Sequence, residues 1–358
     1  MKLKTLSLLA LLTVPALFAF QPRGRSISFH IAEGTTQTKV FTNSYEMSLD
    51  EMSMMMNGQA SPVQPEIEML ITAKQNVTVT DEYVGVSDGA PTKLLRSYDE
   101  ATSSKATEME MDVMGQVQSS DSSSESETEL TGNTVQFKWN AEGDEFVASF
   151  PDGEADEGLL TGLTEDMDLR ALLPEDEVAE GDTWKIEPFA LASIFSPGGD
   201  LKLVASEEGN EDELGMNSDM GDTSDWFTED TEGEVTATFT GMREMEDGVN
   251  VAVITLQIEI TNAADLTEKM AADMEDAELP PMVESMELES MDIQVEIEGE
   301  ATLLWDVASG CMQSFELEAE ISLVADSAMA LAAQGQEMSI ESSFELSGSI
   351  TASVSIEE

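Results

Sequence analysis

From Met338 to Glu357 the chain keeps a two-residue rhythm. Even positions read Met338, Ile340, Ser342, Phe344, Leu346, Gly348, Ile350, Ala352, Val354 and Ile356; odd positions are Ser, Thr or Glu throughout. Side chains alternate across a strand, so this run predicts a ribbon with one dry and one wet face. A slip of one residue would turn the whole apolar set to water, so the register is strongly specified. Extended, the run would reach ~66 Å at ~3.3 Å per residue. That exceeds an ordinary strand, and a bend at Gly348 is expected.

The same rhythm recurs along the chain. Tyr45, Met47 and Leu49 share odd parity and Met52, Met54 and Met56 share even parity, which predicts a bulge near Asp50–Glu51. Ile67, Met69, Ile71, Ala73, Val77 and Val79 form the returning arm of a hairpin. Met109, Met111 and Val113 favour a strand within Leu94–Met114. Val135, Phe137 and Trp139, then Phe146, Ala148 and Phe150 after the Gly143-Asp144 turn, form a second hairpin. Ile293 to Trp305 and Phe315 to Leu323 form a third, with strand favoured for Ala325–Ala333. Ser119–Glu129 holds no apolar residue and reads as a solvated loop.

Two stretches read as helices. Leu159, Leu160, Leu163, Met167, Leu169, Leu172 and Leu173 approximate a helical stripe that Pro174 ends. Ala263–Met291 is rich in helix formers, with the better helix before Pro280-Pro281. The expected fold class is therefore α+β and β-rich: a long, curved, antiparallel, half-barrel-like sheet with two or three helices packed on its concave face. The expected organisation is a signal peptide over 1–20, a β-rich half over 21–205, an acidic linker over 206–234 and a second β-rich half over 235–358. The two halves could equally form one continuous domain, and the oligomeric state stays open.

Composition changes the picture in two ways. The first twenty residues pair Lys2 and Lys4 with an apolar run from Leu6 to Phe20, the signature of an export leader rather than a membrane span. An exported location follows, in the periplasm, cell envelope or outside the cell, with no membrane span after leader removal. The balance of 74 acidic to 15 basic residues gives a formal charge of −59, which repels nucleic acid and anionic headgroups.

Candidate chemistry is sparse. His30 is the single histidine and Cys311 the single cysteine, so no internal disulfide forms and no Ser–His or Cys–His arrangement is expected without His30. Asp152–Glu157 and Asp212–Asp230 hold hard oxygen ligands but do not fit a calcium loop. No catalytic residue, cofactor or metal is assigned. The 23 methionines are unusual. Thioethers suit Cu(I), but methionine at strand spacing reads first as pliable core and next as the wall of an adaptable pocket. Met54, Met56, Trp139, Trp184, Phe189, Phe195 and Trp305 are the candidate lining of a cavity for a hydrophobic small molecule or lipid.

Two phrases carry a resemblance. Leu173-Pro174, Val178 and Gly181-Asp182-Thr183-Trp184, with the Gly299, Leu304-Trp305-Asp306 and Gly310 hairpin, resemble exported bacterial proteins similar to half-barrel carriers of the LolA/LppX type, over residues 130–358. That resemblance implies a curved sheet with helices on its concave side. The chain departs from those carriers in lacking a lipobox cysteine and in its acidity. The function expected is an exported, non-enzymatic binding protein for an apolar ligand. The alternative is a structural or interaction module of the cell envelope that meets a cationic partner.

Overall fold

The computed structural model describes residues 24–60, 66–113, 116–151, 153, 156–205, 231–246, 248–268, 270–271, 283–333 and 336–357. The expected leader and most of the acidic linker lie outside them.

The fold is all-β. Its strands are β1 (Thr36–Met56), β2 (Gln59–Ala60), β3 (Glu66–Ser87), β4 (Ala90–Val113), β5 (Gln116–Glu127), β6 (Thr134–Asn140) and β7 (Glu145–Ser149). There follow β8 (Thr183–Ile186), β9 (Val204–Ala205), β10 (Glu232–Glu244), β11 (Asn250–Asp265), β12 (Val283–Asp306), β13 (Cys311–Ala333) and β14 (Gln336–Glu357). They form one antiparallel sheet along the path β7-β6-β4-β3-β1-β14-β13-β12-β11-β10-β8, with β2, β5 and β9 off it. Strand β1 pairs with β14, joining the two halves of the chain.

Among the described residues strand dominates and no helix longer than a single turn is packed on the sheet, which corrects the α+β reading. Leu159–Leu173 is two 3-10 turns, Glu157–Leu160 and Arg170–Leu172, joined by irregular chain. Gly162 at φ 85° and Leu169 at φ 55° break the helical path, and Asp166 accepts from the Asp168 N–H in place of a helical bond. The stripe arose because Met167, Leu169 and Leu172 are buried against the sheet. In the second stretch, strand continues to Asp265 and is present again from Val283; residues 267–268 and 270–271 are helical, and the remainder of the expected helix lies outside the described residues. Helix α1 (Ala192–Phe195) is a single turn.

Ser119–Glu129 is also corrected: most of it is β5, paired to β4 from Val113↔Gln116 to Thr102↔Glu127. It lies beside β4 away from the main path, and its carboxylates discourage edge pairing with another chain. Strand β14 is paired in continuous register at Gly348, opposite Met47 on β1 and Ile321 on β13. Gly348 allows close approach there: a Cβ would lie 1.8 Å from the Glu46 carbonyl oxygen. The bulge expected near Asp50–Glu51 is present, as a shift between Leu49 and Glu51.

The sheet is curled. The Phe29 ring lies 6.4 Å from both Tyr83 on β3 and Trp305 on β12. Those strands are four spacings apart along the path, about 19 Å if flat at ~4.8 Å each. The concave face is filled at one end by residues 24–31 and 157–203. Asn43 donates to the Ile194 carbonyl at 2.9 Å and Arg96 to that of Thr164 at 3.0 Å. The core lies under this plug, including Phe41, Tyr98, Phe137, Phe315 and Trp305.

Candidate functional site: an apolar trough beyond the plug

The long strands run on past the plug with the same parity. On β1 the inner face continues from Met47 through Leu49 to Met52, Met54 and Met56. The register aligns these into rows across four strands. Leu288, Met329, Ile340 and Met56 form one row; Ile293, Ala325, Phe344 and Met52 another. Between them run Met291, Ser327, Ser342 and Met54, and the two serine hydroxyls lie 2.7 Å apart. Met69 pairs with Met109 and Ile67 with Met111 on β3 and β4. Met52, Met54, Met56, Ile67, Met69, Met109, Met111, Leu288, Met329, Ile340 and Phe344 are all only half-buried. The opposite face carries exposed Glu51, Glu68, Glu108, Glu110, Glu287, Glu341 and Glu345. The trough is therefore apolar inside and acidic outside.

At the plugged end a buried ionic cluster fixes the insertion to the sheet. Lys39 of β1 pairs with Asp81 of β3 at 2.9 Å and with Asp168 of the insertion at 2.6 Å. Arg96 of β4 holds Asp81 through two bonds of 2.7 and 2.9 Å and donates to the Glu165 carbonyl at 2.8 Å. Tyr83 donates to Asp168 at 2.9 Å and accepts from Lys39 at 2.9 Å. Burial opposes the Asp81 carboxylate, but Arg96 and Lys39 outweigh it and bring its pKa to about 2. Burial also opposes the Lys39 ammonium; Asp168 and Asp81 outweigh that and hold its pKa well above the ordinary lysine value. Burial pushes Glu165 up despite Arg170. Lys39, Asp81 and Arg96 are fully buried, so the cluster positions the plug rather than meeting a substrate.

The predicted lining residues do not converge. Met54 and Met56 lie in the trough. Trp139 packs on Phe146 at 5.1 Å on the β6–β7 hairpin and is 37% exposed. Trp184 sits on β8, where its indole donates to the Leu172 carbonyl at 3.1 Å. Phe189 is exposed, whereas Phe195 and Trp305 are fully buried in the plug and the sheet. The Leu173-Pro174 to Trp184 phrase instead lines a separate cleft of about 820 Å³. Its walls include Glu175, Asp176, Glu177, Asp182, Lys185 and Glu187, a charged lining unsuited to an apolar guest. Of Asp152–Glu157, residues 152, 154 and 155 lie outside the described residues, and Asp156 accepts from the Gly158 N–H at 2.9 Å; Asp212–Asp230 lies wholly outside them.

Other candidate chemistry is quiet. His30 is exposed, with ring nitrogens 3.2 Å from the Ser28 and 3.4 Å from the Ala308 carbonyl oxygens. Cys311 is buried, and burial pushes its thiol to about 11. Among the described residues no three His, Cys, Asp or Glu side chains are placed to hold a metal ion, and no helix is long and apolar enough to cross a membrane.

No family model matches the chain, and no curated protein matches it. Among solved structures, the outer membrane protein OprG from Pseudomonas aeruginosa aligns over 91% of this chain and 97% of its own, at 6% identity and a TM-score of 0.23. An outer membrane channel from Pseudomonas putida F1 aligns over 94% and 100%, at 8% identity and a TM-score of 0.19. Both likenesses are too low to carry fold or function to this chain.

Proposed function

We propose that this chain is an exported, non-enzymatic binding protein whose trough holds an apolar, lipid-like ligand. One observation carries the reading: rows of Met, Leu, Ile and Phe continue in register beyond the plug, yet stay half-buried. A sheet needed only for stability gains nothing by extending an apolar face past what covers it, and contiguous exposed apolar surface marks a binding surface. Methionine suits such a wall because its unbranched thioether adapts to irregular guests. The sidedness supports a water-facing sheet, since a membrane barrel turns its apolar band outward and this sheet turns glutamate and serine outward. The reading keeps the apolar-ligand half of the carrier resemblance and drops the helical lid.

Native mass spectrometry of protein purified without detergent is the test, with displacement of a solvatochromic alkyl dye as its solution counterpart. A one-to-one apolar adduct is expected, with the dye signal reduced several-fold in Met54→Ser/Met109→Ser. A protein that takes up neither lipid nor dye would overturn the reading.

A further inference from the structure

The sheet brings methionines of two neighbouring strands together. On β4, Met109 and Met111 are two residues apart and share the inner face. Met69 of β3 lies directly opposite Met109, and Ile67 lies opposite Met111. Directly opposed Cβ atoms stand ~4.5–5.5 Å apart and diagonal ones ~7–8 Å, while two residues along a strand span ~6.6 Å. Three flexible thioethers therefore hang from one small triangle of the wall. All three side chains are half-buried rather than sealed, in contrast to Met47, Met167 and Met312 in the core. On the far flank of β4, Ser120 lies opposite Met109 and Gln118 opposite Met111, and both are exposed, so water reaches the triangle from that side. Met52, Met54 and Met56 of β1 also share a face, but the residues opposite them on β14 are Phe344, Ser342 and Ile340, so no sulfur faces another across that ladder.

We infer that Met69, Met109 and Met111 form a thioether site for a soft monovalent metal ion, Cu(I). The site goes beyond the apolar-ligand reading and does not rest on it. Val or Ile would make as greasy a wall and suit a strand better, but only sulfur holds a soft cation. The donor set selects the ion: it offers no hard oxygen to Ca(II) or Mg(II) and no thiolate or imidazole to Zn(II), whereas Cu(I) takes thioethers. Charge favours a cation as well. Glu68, Glu108 and Glu110 alternate with the three methionines and stand exposed on the opposite face of the same strands. The formal charge of −59 draws cations to the surface as it repels anions. Lys105, on the inner face of β4, stands about 13 Å from Met109 along the strand at ~3.3 Å per residue, too far to compete for the same sulfurs.

Anaerobic titration of metal-free protein with Cu(I), in competition with bicinchoninate, tests the site, with native mass spectrometry after addition of Ag(I) as a count of bound soft ions. Wild type should withdraw one Cu(I) from the competitor and take up one Ag(I), and an excess of Zn(II) or Ca(II) should not displace either. Met69→Leu and Met109→Leu/Met111→Leu keep the greasy surface and remove the sulfur, so each should weaken Cu(I) binding by roughly tenfold or more while dye uptake by the trough persists. Met54→Leu/Met56→Leu should leave the Cu(I) affinity unchanged. A wild type that leaves the competitor's copper untouched would overturn the inference, as would displacement by Zn(II). So would an affinity indifferent to the Met69 and Met109/Met111 changes, or lowered equally by Met54→Leu/Met56→Leu. Absence of dye uptake by wild type would remove the apolar-ligand reading and leave the copper result to stand by itself. The competition is read first on unaltered protein, so it decides the matter even where a leucine variant does not fold.

Discussion

Lys39, Asp81 and Arg96 sit on the dry parity of their strands: Lys39 two residues before Phe41, Asp81 between Val79 and Tyr83, and Arg96 between Leu94 and Tyr98. The misfit was visible in the sequence: charges where apolar residues should be. Their convergence was not, because Asp168 reaches them from an insertion of irregular chain whose path no periodicity describes. Removing one partner leaves an uncompensated buried charge, so Asp81→Asn should lower stability by about 3–5 kcal/mol in urea unfolding at neutral pH. Asp81 also sets a pH dependence. Its folded pKa of about 2 lies below the ordinary 3.8, so its contribution is present above pH 3.8 and is lost as pH falls toward 2. The gap between wild type and Asp81→Asn should therefore narrow across that window. Cys311, buried with its thiol pushed to about 11, should resist maleimide at neutral pH in the folded protein and react at once in urea. Rapid labelling of native protein would show that the corner around it opens.

At the scale of the element, alternation found the long strands and the bulge in β1, because burial on one face imposes a period of two. It failed where a strand is polar on both faces, as in β5, and where buried leucines on irregular chain imitate a helix, as in 159–173. Gly348 carries a constraint that alternation alone does not reveal. It marks backbone crowding inside a regular ladder, so Gly348→Ala should cost about 1–3 kcal/mol and show as a lowered melting temperature. The outer face of β11, β12 and β13 sets like charges directly opposite: Glu259 and Glu298, Glu298 and Glu320, Glu300 and Glu318. Such pairs are destabilising. Raising salt from about 0.01 M to about 1 M shortens the screening length from ~30 Å to ~3 Å, so the melting temperature should rise with NaCl. Glu298→Gln, which relieves two of the pairs, should weaken that dependence. A melting temperature indifferent to salt would show that the ladder is already neutralised.

For the molecule as a whole, the apolar parity was legible throughout, but the boundary between its filled and unfilled parts was not. Met47 and Met56 look alike in sequence; one is 1% exposed under the plug and the other is half-buried in the trough. Only the path of 157–203 across the concave face separates them. The aromatic candidates were misassigned for the same reason, since Phe195 and Trp305 serve the plug and Trp139 an edge hairpin.

The pairing of β1 with β14 carries a consequence for how the protein is made. Thr38 meets Glu357, so the first long strand waits for β14, twelve strands further along the chain order from β2, before its neighbour on that flank exists. Until then the nascent polypeptide holds two unsealed ribbons with greasy undersides, and contacts so distant in sequence close slowly. A polypeptide that cannot close its sheet before β14 has been made stays open and threadable until then.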